Sequence, residues 1–122
     1  MKKPKPRTYA FDFDGVIAHY NGFKGAKHVG KPNAKIVDAI RLLKERGHKI
    51  LIYSTRASAQ LRAYCKEHGI PVDYFNKNPN LRGANPGKPI ASVYVDDRAI
   101  TYRGQSAKKL IEDMENFRPY WK

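Results

Sequence analysis

Acidic side chains follow two apolar segments of this chain, at the point where each segment ends. Asp12 and Asp14 close a run that starts near Tyr9, and Asp96 and Asp97 close a later one. In an extended backbone, residues two apart point to the same side, so the first two carboxylates would repel each other. A shared cation would relieve that repulsion, and oxygen atoms are the ligands that Mg²⁺ prefers. The four acids therefore predict a magnesium site with Mg²⁺ as the cofactor, whereas one such acid alone would be an ordinary turn or helix-cap residue.

Hydroxyl side chains end a third apolar run. Ser54 and Thr55 come directly after Lys49–Tyr53, a short segment typical of a buried strand. Either hydroxyl could bind a phosphate opposite the metal ion, and Ser54 is the first after the strand. Arg56 and Arg98 each follow one of these strand ends. Each could contact substrate phosphate or form an ion pair that braces the acids.

The elements that must position these residues alternate between strands and helices. Apolar runs predict four strands and a short fifth one, and helical periodicity predicts three helices. The strands are Tyr9–Phe13, Lys49–Tyr53, Val72–Phe75, Ser92–Val95 and Ile100–Tyr102, and the helices are Ala34–Arg46, Ser58–His68 and Ser106–Phe117. This order predicts an α/β, three-layer Rossmann-like fold with a parallel sheet and helices on both faces. Ligands of such sheets bind beyond the carboxyl ends of the strands, where the acids and hydroxyls fall.

The 122 residues are enough for one domain. Residues 1–7 (MKKPKPR) are expected to form a basic N-terminal arm, and residues 8–122 a single domain. Residues 18–33 contain three glycines and no clear period, which indicates a loop or small flap. Residues 76–91, rich in Asn, Pro and Gly, predict a long connection, and such loops often serve function.

Charge and cysteine content limit the classes of partner. The formal net charge is +13, which favours anionic partners such as nucleic acid or phosphorylated small molecules. Cys65 is the only cysteine, so a disulfide framework and a four-cysteine zinc site are excluded. We expect this residue to fill the core. No apolar run approaches the roughly 20 residues that cross a bilayer. The expectation is therefore a cytoplasmic protein with no membrane partner.

The pattern as a whole resembles the haloacid dehalogenase superfamily of phosphohydrolases. Phe11–Ile17 looks like its first motif, and Ile50–Arg56 is similar to its second, an apolar strand ended by Ser or Thr. Lys88, eight residues before Asp96, suits its phosphate-binding lysine, and Val93–Arg98 looks like its acidic metal motif. The four motifs occur in the family's order over residues 8–102.

The resemblance implies a reaction and roles for the acids. Asp12 would be the nucleophile and would form an aspartyl-phosphate, since a carboxylate is ionised at neutral pH. Asp14 would protonate the leaving alcohol and then activate water, and its backbone carbonyl would also bind Mg²⁺. Asp96 would bind the metal directly. Asp97 would bind it through a water molecule or would hydrogen-bond to one of its ligands.

The phosphate-binding residues are less sharply defined. Ser54 would donate a hydrogen bond to a phosphoryl oxygen. The family often has Thr-Gly-Arg at this motif, whereas this chain has Ser-Thr-Arg, so Thr55 remains an alternative. Lys88 would neutralise charge on the phosphate, with Lys77 as its rival.

The short connections leave no room for the cap domain that usually closes over small substrates in this family. A capless, open site admits a large substrate, as in the similar phosphatase domains of polynucleotide kinases and in small phage and bacterial relatives. Together with the charge, this favours a nucleotide or nucleic-acid-end phosphate as the substrate of a monomer or weak oligomer. The alternative is a non-catalytic, basic nucleic-acid-binding module on the same fold.

We expect the aromatic residues outside these motifs to serve mainly in packing. Tyr120 and Trp121 are expected to pack against the last helix. In the flap, Tyr20 and Phe23 alternate with cations, a pattern that could stack on bases or form an ordinary solvated surface.

Overall fold

The fold is built from short apolar strands joined by amphipathic helices, as the sequence pattern requires. The structure, a computed structural model, describes residues 5–79 and 88–122. In chain order the elements are β1 (Thr8–Asp12), α1 (Ala34–Glu45), β2 (Lys49–Tyr53), α2 (Ser58–His68), β3 (Tyr74–Phe75), β4 (Val93–Val95) and α3 (Ala107–Glu115).

The four strands form one parallel sheet in the order β3-β2-β1-β4. β1 is central, and its residue Tyr9 is in register with Ile50 of β2 and Val93 of β4. Because all strands run the same way, their carboxyl ends share one edge. The parallel sheet flanked by three helices confirms the predicted α/β fold and is consistent with a three-layer, Rossmann-like arrangement.

The main core lies between the sheet and the first two helices. Phe11, Ile50 and Ile52 of the sheet pack in one buried cluster with Ile40 of α1 and Leu61 of α2. Burying side chains of this size contributes roughly 1.5–3 kcal/mol each. This packing stabilises β1 and β2, the strands that end at Asp12 and Tyr53.

Cys65 of α2 belongs to the same cluster. It is a buried free thiol, and burial raises its pKa to about 11. The thiol therefore stays protonated near neutral pH, as expected for a residue that fills the core.

The third predicted strand is shorter in the structure than in the sequence prediction. The carboxylate of Asp73 accepts hydrogen bonds from the Ile50 N–H at 2.7 Å and from Lys44 Nζ. A side-chain acceptor thus replaces a backbone carbonyl at this point of the ladder, and regular pairing begins only at Tyr74.

One further predicted strand is wrong, and the bounds of β1, β4, α1 and α3 differ from the predicted ones by one or two residues. The short fifth strand at Ile100–Tyr102 is wrong, because these residues form no strand and Tyr102 is 70% exposed. The last helix begins at Ala107, with Ser106 as its cap: the Ser106 hydroxyl accepts a hydrogen bond from the Lys109 N–H. No residue of α3 is buried.

Parts of two predicted segments lie outside the described residues. These are residues 1–4 of the basic arm and residues 80–87 of the long connection. Arg7, by contrast, is described: its backbone N–H donates to His48 Nδ1 and its carbonyl accepts from the Lys49 N–H. Among the described helices, none has the length and apolar character needed to cross a membrane.

Candidate metal and phosphate site

Three carboxylates meet at the carboxyl edge of the sheet. Asp12 is the last residue of β1, and Asp96 and Asp97 follow the neighbouring strand β4 directly. Each offers an oxygen atom, and these atoms lie within 4.8 Å of one another. The parallel pairing of β1 with β4 brings them together, because both strands end at the same edge.

The electrostatics of this cluster favour a bound positive charge. Burial raises the pKa of Asp12 to about 7, assisted by the adjoining carboxyls of Asp97 and Asp96. The Phe13 N–H, which donates to Asp12 Oδ1 at 2.8 Å, opposes this rise. Without a cation, one carboxyl of the cluster therefore tends to keep a proton at neutral pH.

One buried oxygen atom of the cluster indicates the kind of group that this site can bind. Asp97 Oδ1 is buried and has no hydrogen-bond partner among the described residues. An unpaired buried carboxylate oxygen is costly, and a metal ion is one of the groups that can satisfy it. Three carboxylates with one orphaned oxygen form a donor set that fits a hard divalent cation.

Neighbouring side chains fix the orientation of two of these acids. Tyr53 donates its hydroxyl to Asp96 Oδ2 at 2.6 Å, and the Arg98 N–H donates to Asp96 Oδ1 at 2.8 Å. Trp121 Nε1 donates to Asp97 Oδ2 at 2.6 Å. Burial and the Asp96 carboxylate raise the pKa of Tyr53, so its hydroxyl remains a donor. One oxygen of Asp97 is thus held in place while the other is left free.

Tyr120 and Trp121 contact the loop that follows β1 and the acids that follow β4, a role that the sequence pattern does not indicate. The Tyr120 hydroxyl donates to the Gly15 carbonyl at 2.6 Å across 105 residues of chain. The Trp121 ring meets the Tyr20 ring edge-on, with 4.8 Å between centroids. Local sequence patterns carry no signal for such contacts, because they join segments far apart in the chain.

The sequence predicts Asp14 as one of the metal-binding acids. In the structure, the carboxylate of Asp14 forms an ion pair with Arg56. Arg56 holds it through two hydrogen bonds, Nε to Oδ2 at 2.8 Å and Nη2 to Oδ1 at 3.0 Å. Arg56 also donates to the carbonyl oxygens of Ala26 and His28 in the flap. This arrangement matches the bracing ion pair that was one of the two expectations for Arg56.

An open cleft of about 500 Å³ lies beside the acids, and we call it the acid cleft. Its polar lining is formed by residues that follow β1, β2 and β4, together with a flap tyrosine: Asp12, Asp14, Tyr20, Ser54, Thr55, Arg56, Gln60, Asp97 and Arg98. The structure therefore brings both predicted hydroxyls and most of the predicted acids to one cavity. A phosphate ester could reach both kinds of group there.

Asn76 hydrogen-bonds to the backbone of the loop that carries Ser54 and Thr55. The sequence pattern did not predict this role. Asn76 Oδ1 accepts from the Ser54 N–H at 2.8 Å, and its Nδ2 donates to the Arg56 carbonyl and to Ser58 Oγ. Asn76 has a φ of +58°, a left-handed conformation that asparagine tolerates better than most residues. Its position just after β3 was the available signal.

The lysines expected to bind phosphate lie elsewhere. Lys88 Nζ sits 4.4 Å from the ring centroid of Tyr94, and neither Lys88 nor Lys77 is among the described residues that line the acid cleft. The role of Lys88 stays a prediction, as does that of its rival.

Comparisons with known proteins establish the fold alone. No family model matches the chain, and no curated protein matches it. A solved structure of a conserved protein coded by a locus of Bacteroides thetaiotaomicron is similar, with a TM-score of 0.63 and 23% sequence identity over 91% of this chain and 90% of that one. This similarity supports the Rossmann-like α/β architecture.

Proposed function

We propose that this protein is a Mg²⁺-dependent phosphohydrolase that cleaves phosphate monoesters, with Asp12 as the nucleophile. The observation that carries the proposal is the cluster of Asp12, Asp96 and Asp97, in which a buried oxygen of Asp97 has no hydrogen-bond partner among the described residues. The cluster opens onto a cleft that also contains two hydroxyl side chains. The acids can bind a cation, and the hydroxyls beside them can bind an anionic phosphoryl group. A site with both kinds of group suits a phosphate ester.

Asp12, Asp96 and Asp97 would hold the Mg²⁺ ion. When bound, the ion would neutralise the clustered carboxylates and the negative charge of the phosphate. Trp121 and Tyr53 would keep two of the carboxylates oriented, since a hydrogen bond to one oxygen of a metal-binding carboxylate fixes the direction of the other.

The Asp12 carboxylate would attack phosphorus. An O–P bond forms to Asp12 as the bond from phosphorus to the ester oxygen breaks, and Asp14 gives a proton to the departing alcohol. In the second half of the reaction Asp14 takes a proton from water, and that water displaces phosphate from Asp12. Ser54 or Thr55 would donate a hydrogen bond to a phosphoryl oxygen throughout.

The ion pair between Asp14 and Arg56 bears on this proton transfer. Arg56 donates two hydrogen bonds to the Asp14 carboxylate, which would hold Asp14 in position as the base that activates water. Protonation of the leaving alcohol requires Asp14 to take up a proton, and this weakens the pair. Because Arg56 also bonds two flap carbonyls, opening of the pair would loosen the flap beside the acid cleft.

Nucleotides and nucleic-acid ends are the substrates that the surface favours. The net charge of +13 attracts polyanions, and the exposed ring of Phe23 and the ring of Tyr20 line the cleft, where a base could stack.

We further propose that the protein is cytoplasmic, because its cysteine, Cys65, is a free thiol. We also propose that it is a monomer or a weak oligomer.

The test is phosphate release from an aryl phosphate, nucleoside monophosphates and oligonucleotides phosphorylated at either end, with and without Mg²⁺. We expect Mg²⁺-dependent release that falls by roughly a thousandfold or more in Asp12→Asn. Asp38→Asn, the same change at an exposed position of α1, is the matched control and should keep full activity.

Absence of release from every ester would refute the hydrolase. Salt-sensitive oligonucleotide binding that survives Asp12→Asn would then support the nucleic-acid-binding module instead.

A further inference from the structure

The acid cleft contains a second arginine whose guanidinium has no hydrogen-bond partner among the residues that the structure describes. Arg98 is exposed, lines the cleft and directly follows Asp97. Its backbone N–H is bonded to Asp96, which fixes the start of the side chain. Within residues 5–79 and 88–122, however, no hydrogen bond or ion pair to its guanidinium is seen; its contacts are with two aromatic rings.

The rings hold the guanidinium without using its donors. The Arg98 carbon Cζ lies 5.2 Å from the ring centroid of Trp121 and 5.9 Å from that of Tyr20. Cation–π contacts within about 6 Å are attractive and engage the charge, not the N–H groups. The five N–H donors of Arg98 therefore remain available to an anion.

The other cations near the acids are not free in this way. Arg56 makes four hydrogen bonds, two to Asp14 and two to flap carbonyls. Lys88 lies against Tyr94 and outside the described lining of the cleft. Of the two cations that line the cleft within the described part of the chain, Arg98 is thus the one with donors to offer.

We propose that Arg98 is the phosphate-binding cation of the acid cleft, and that its ligand is the phosphoryl group of a phosphate monoester or inorganic phosphate. A planar guanidinium matches two phosphoryl oxygens at once, which a lysine cannot do. Tyr20 and Trp121 hold this plane beside Asp97. The identity of the ligand rests on the proposed hydrolase, but the binding itself is measurable without turnover.

The test is calorimetric binding of inorganic phosphate in the presence of Mg²⁺. We expect Arg98→Ala to weaken phosphate binding by roughly tenfold to a hundredfold, the size of a charge-assisted hydrogen-bonded contact. Arg98→Lys, which keeps the charge and loses the planar fork, should fall between wild type and Arg98→Ala.

Arg62→Ala is a matched control. Arg62 is an exposed arginine of α2 whose Cζ lies 5.2 Å from the ring centroid of Phe75, away from the cleft. Arg62→Ala therefore loses one positive charge and one cation–π contact as short as that between Arg98 and Trp121. Its phosphate affinity should differ from that of the wild type by less than twofold. Lys88→Ala, measured alongside, compares the two candidate cations directly.

The results separate this inference from the proposed function. Equal weakening in Arg98→Ala and Arg62→Ala would mean that only net charge matters, and it would overturn the assignment. So would wild-type phosphate affinity in Arg98→Ala, or loss of binding in Lys88→Ala alone. Arg98-dependent phosphate binding in a protein that hydrolyses no ester would leave the inference standing and remove the hydrolase.

Discussion

The indole N–H of Trp121 donates a 2.6 Å hydrogen bond to Oδ2 of Asp97, and the opposite oxygen of that carboxylate is buried with no partner in residues 5–79 and 88–122. Trp121 thus decides how Asp97 presents its free oxygen to Asp12 and Asp96. The same ring contacts Tyr20 of the flap and the guanidinium of Arg98. One side chain therefore connects the proposed metal ligands with the proposed phosphate site.

Trp121→Phe should weaken Mg²⁺ binding by about tenfold, because it removes the N–H that orients Asp97 and keeps an aromatic ring in place. Calorimetric titration with Mg²⁺ measures this. Tyr64→Phe, which loses a hydroxyl bonded at 2.8 Å to the Gly30 carbonyl instead of to a carboxylate of the cluster, is the comparison and should bind Mg²⁺ as the wild type does. Equal Mg²⁺ affinity in Trp121→Phe and wild type would show that Asp97 needs no such support.

The contribution of Asp12 to the stability of the metal-free protein should fall as pH rises from about 4 to about 7. The pKa of Asp12 is raised from its ordinary 3.8 to about 7, chiefly by burial, so the folded state holds a proton that the unfolded state has lost in this range. The stabilising contribution is present below pH 4 and disappears as pH rises through 7. Thermal unfolding in EDTA across this range measures it.

Asp12→Asn is the control for this pH dependence, since an amide does not titrate there. The difference between wild type and Asp12→Asn should change with pH in EDTA and change less with saturating Mg²⁺, which takes the place of the proton. A difference that stays constant from pH 4 to 7 without metal would contradict the raised pKa of Asp12.

Gly15→Ala should destabilise the protein and disturb Asp97. Gly15 has a φ of +86°, and a Cβ there would overlap the Asp97 carboxylate. Gly47 has the same φ of +86° and open space around its Cα, so Gly47→Ala carries the backbone strain alone, about 1–2 kcal/mol. Denaturant unfolding of both variants should show the larger loss for Gly15→Ala, and only that variant should lose Mg²⁺ affinity. Equal losses would mean that the Asp97 side chain moves aside at little cost.

Asn76→Gly should loosen the loop that carries Ser54. Glycine accepts the left-handed backbone at this position, so the variant removes only the side-chain bonds to Ser54, Arg56 and Ser58. We expect a loss of about 1–3 kcal/mol in stability from the unpaired groups and weaker phosphate binding.

The comparison for this loop is Asn33→Gly. Asn33 caps α1 through a 3.2 Å bond from the Lys35 N–H, and its loss should cost only a few tenths of a kcal/mol. Unchanged phosphate affinity in Asn76→Gly would assign Asn76 to the stability of the fold alone.

Much of the fold followed from short-range patterns. The bounds of β2 and α2 were predicted correctly because apolar periodicity and the helix-ending Gly69 are local signals. The short β3 was not, because its start depends on the Asp73 carboxylate bonding to Ile50 on the neighbouring strand. The fifth strand at residues 100–102 failed because apolar residues alone do not supply a partner strand.

The sequence by itself determined which residues could do chemistry and at which edge they lie. Acids after β1 and β4 and hydroxyls after β2 must meet there, because parallel strands end together. Only the tertiary structure decided how they divide: Asp14 pairs with Arg56, while Asp12, Asp96 and Asp97 cluster. It also brought Trp121 to Asp97 and placed the Arg98 guanidinium against the rings of Tyr20 and Trp121. Such choices depend on contacts between segments far apart in the chain, where geometry, burial and competition for hydrogen-bond partners decide, and periodicity carries no information about them.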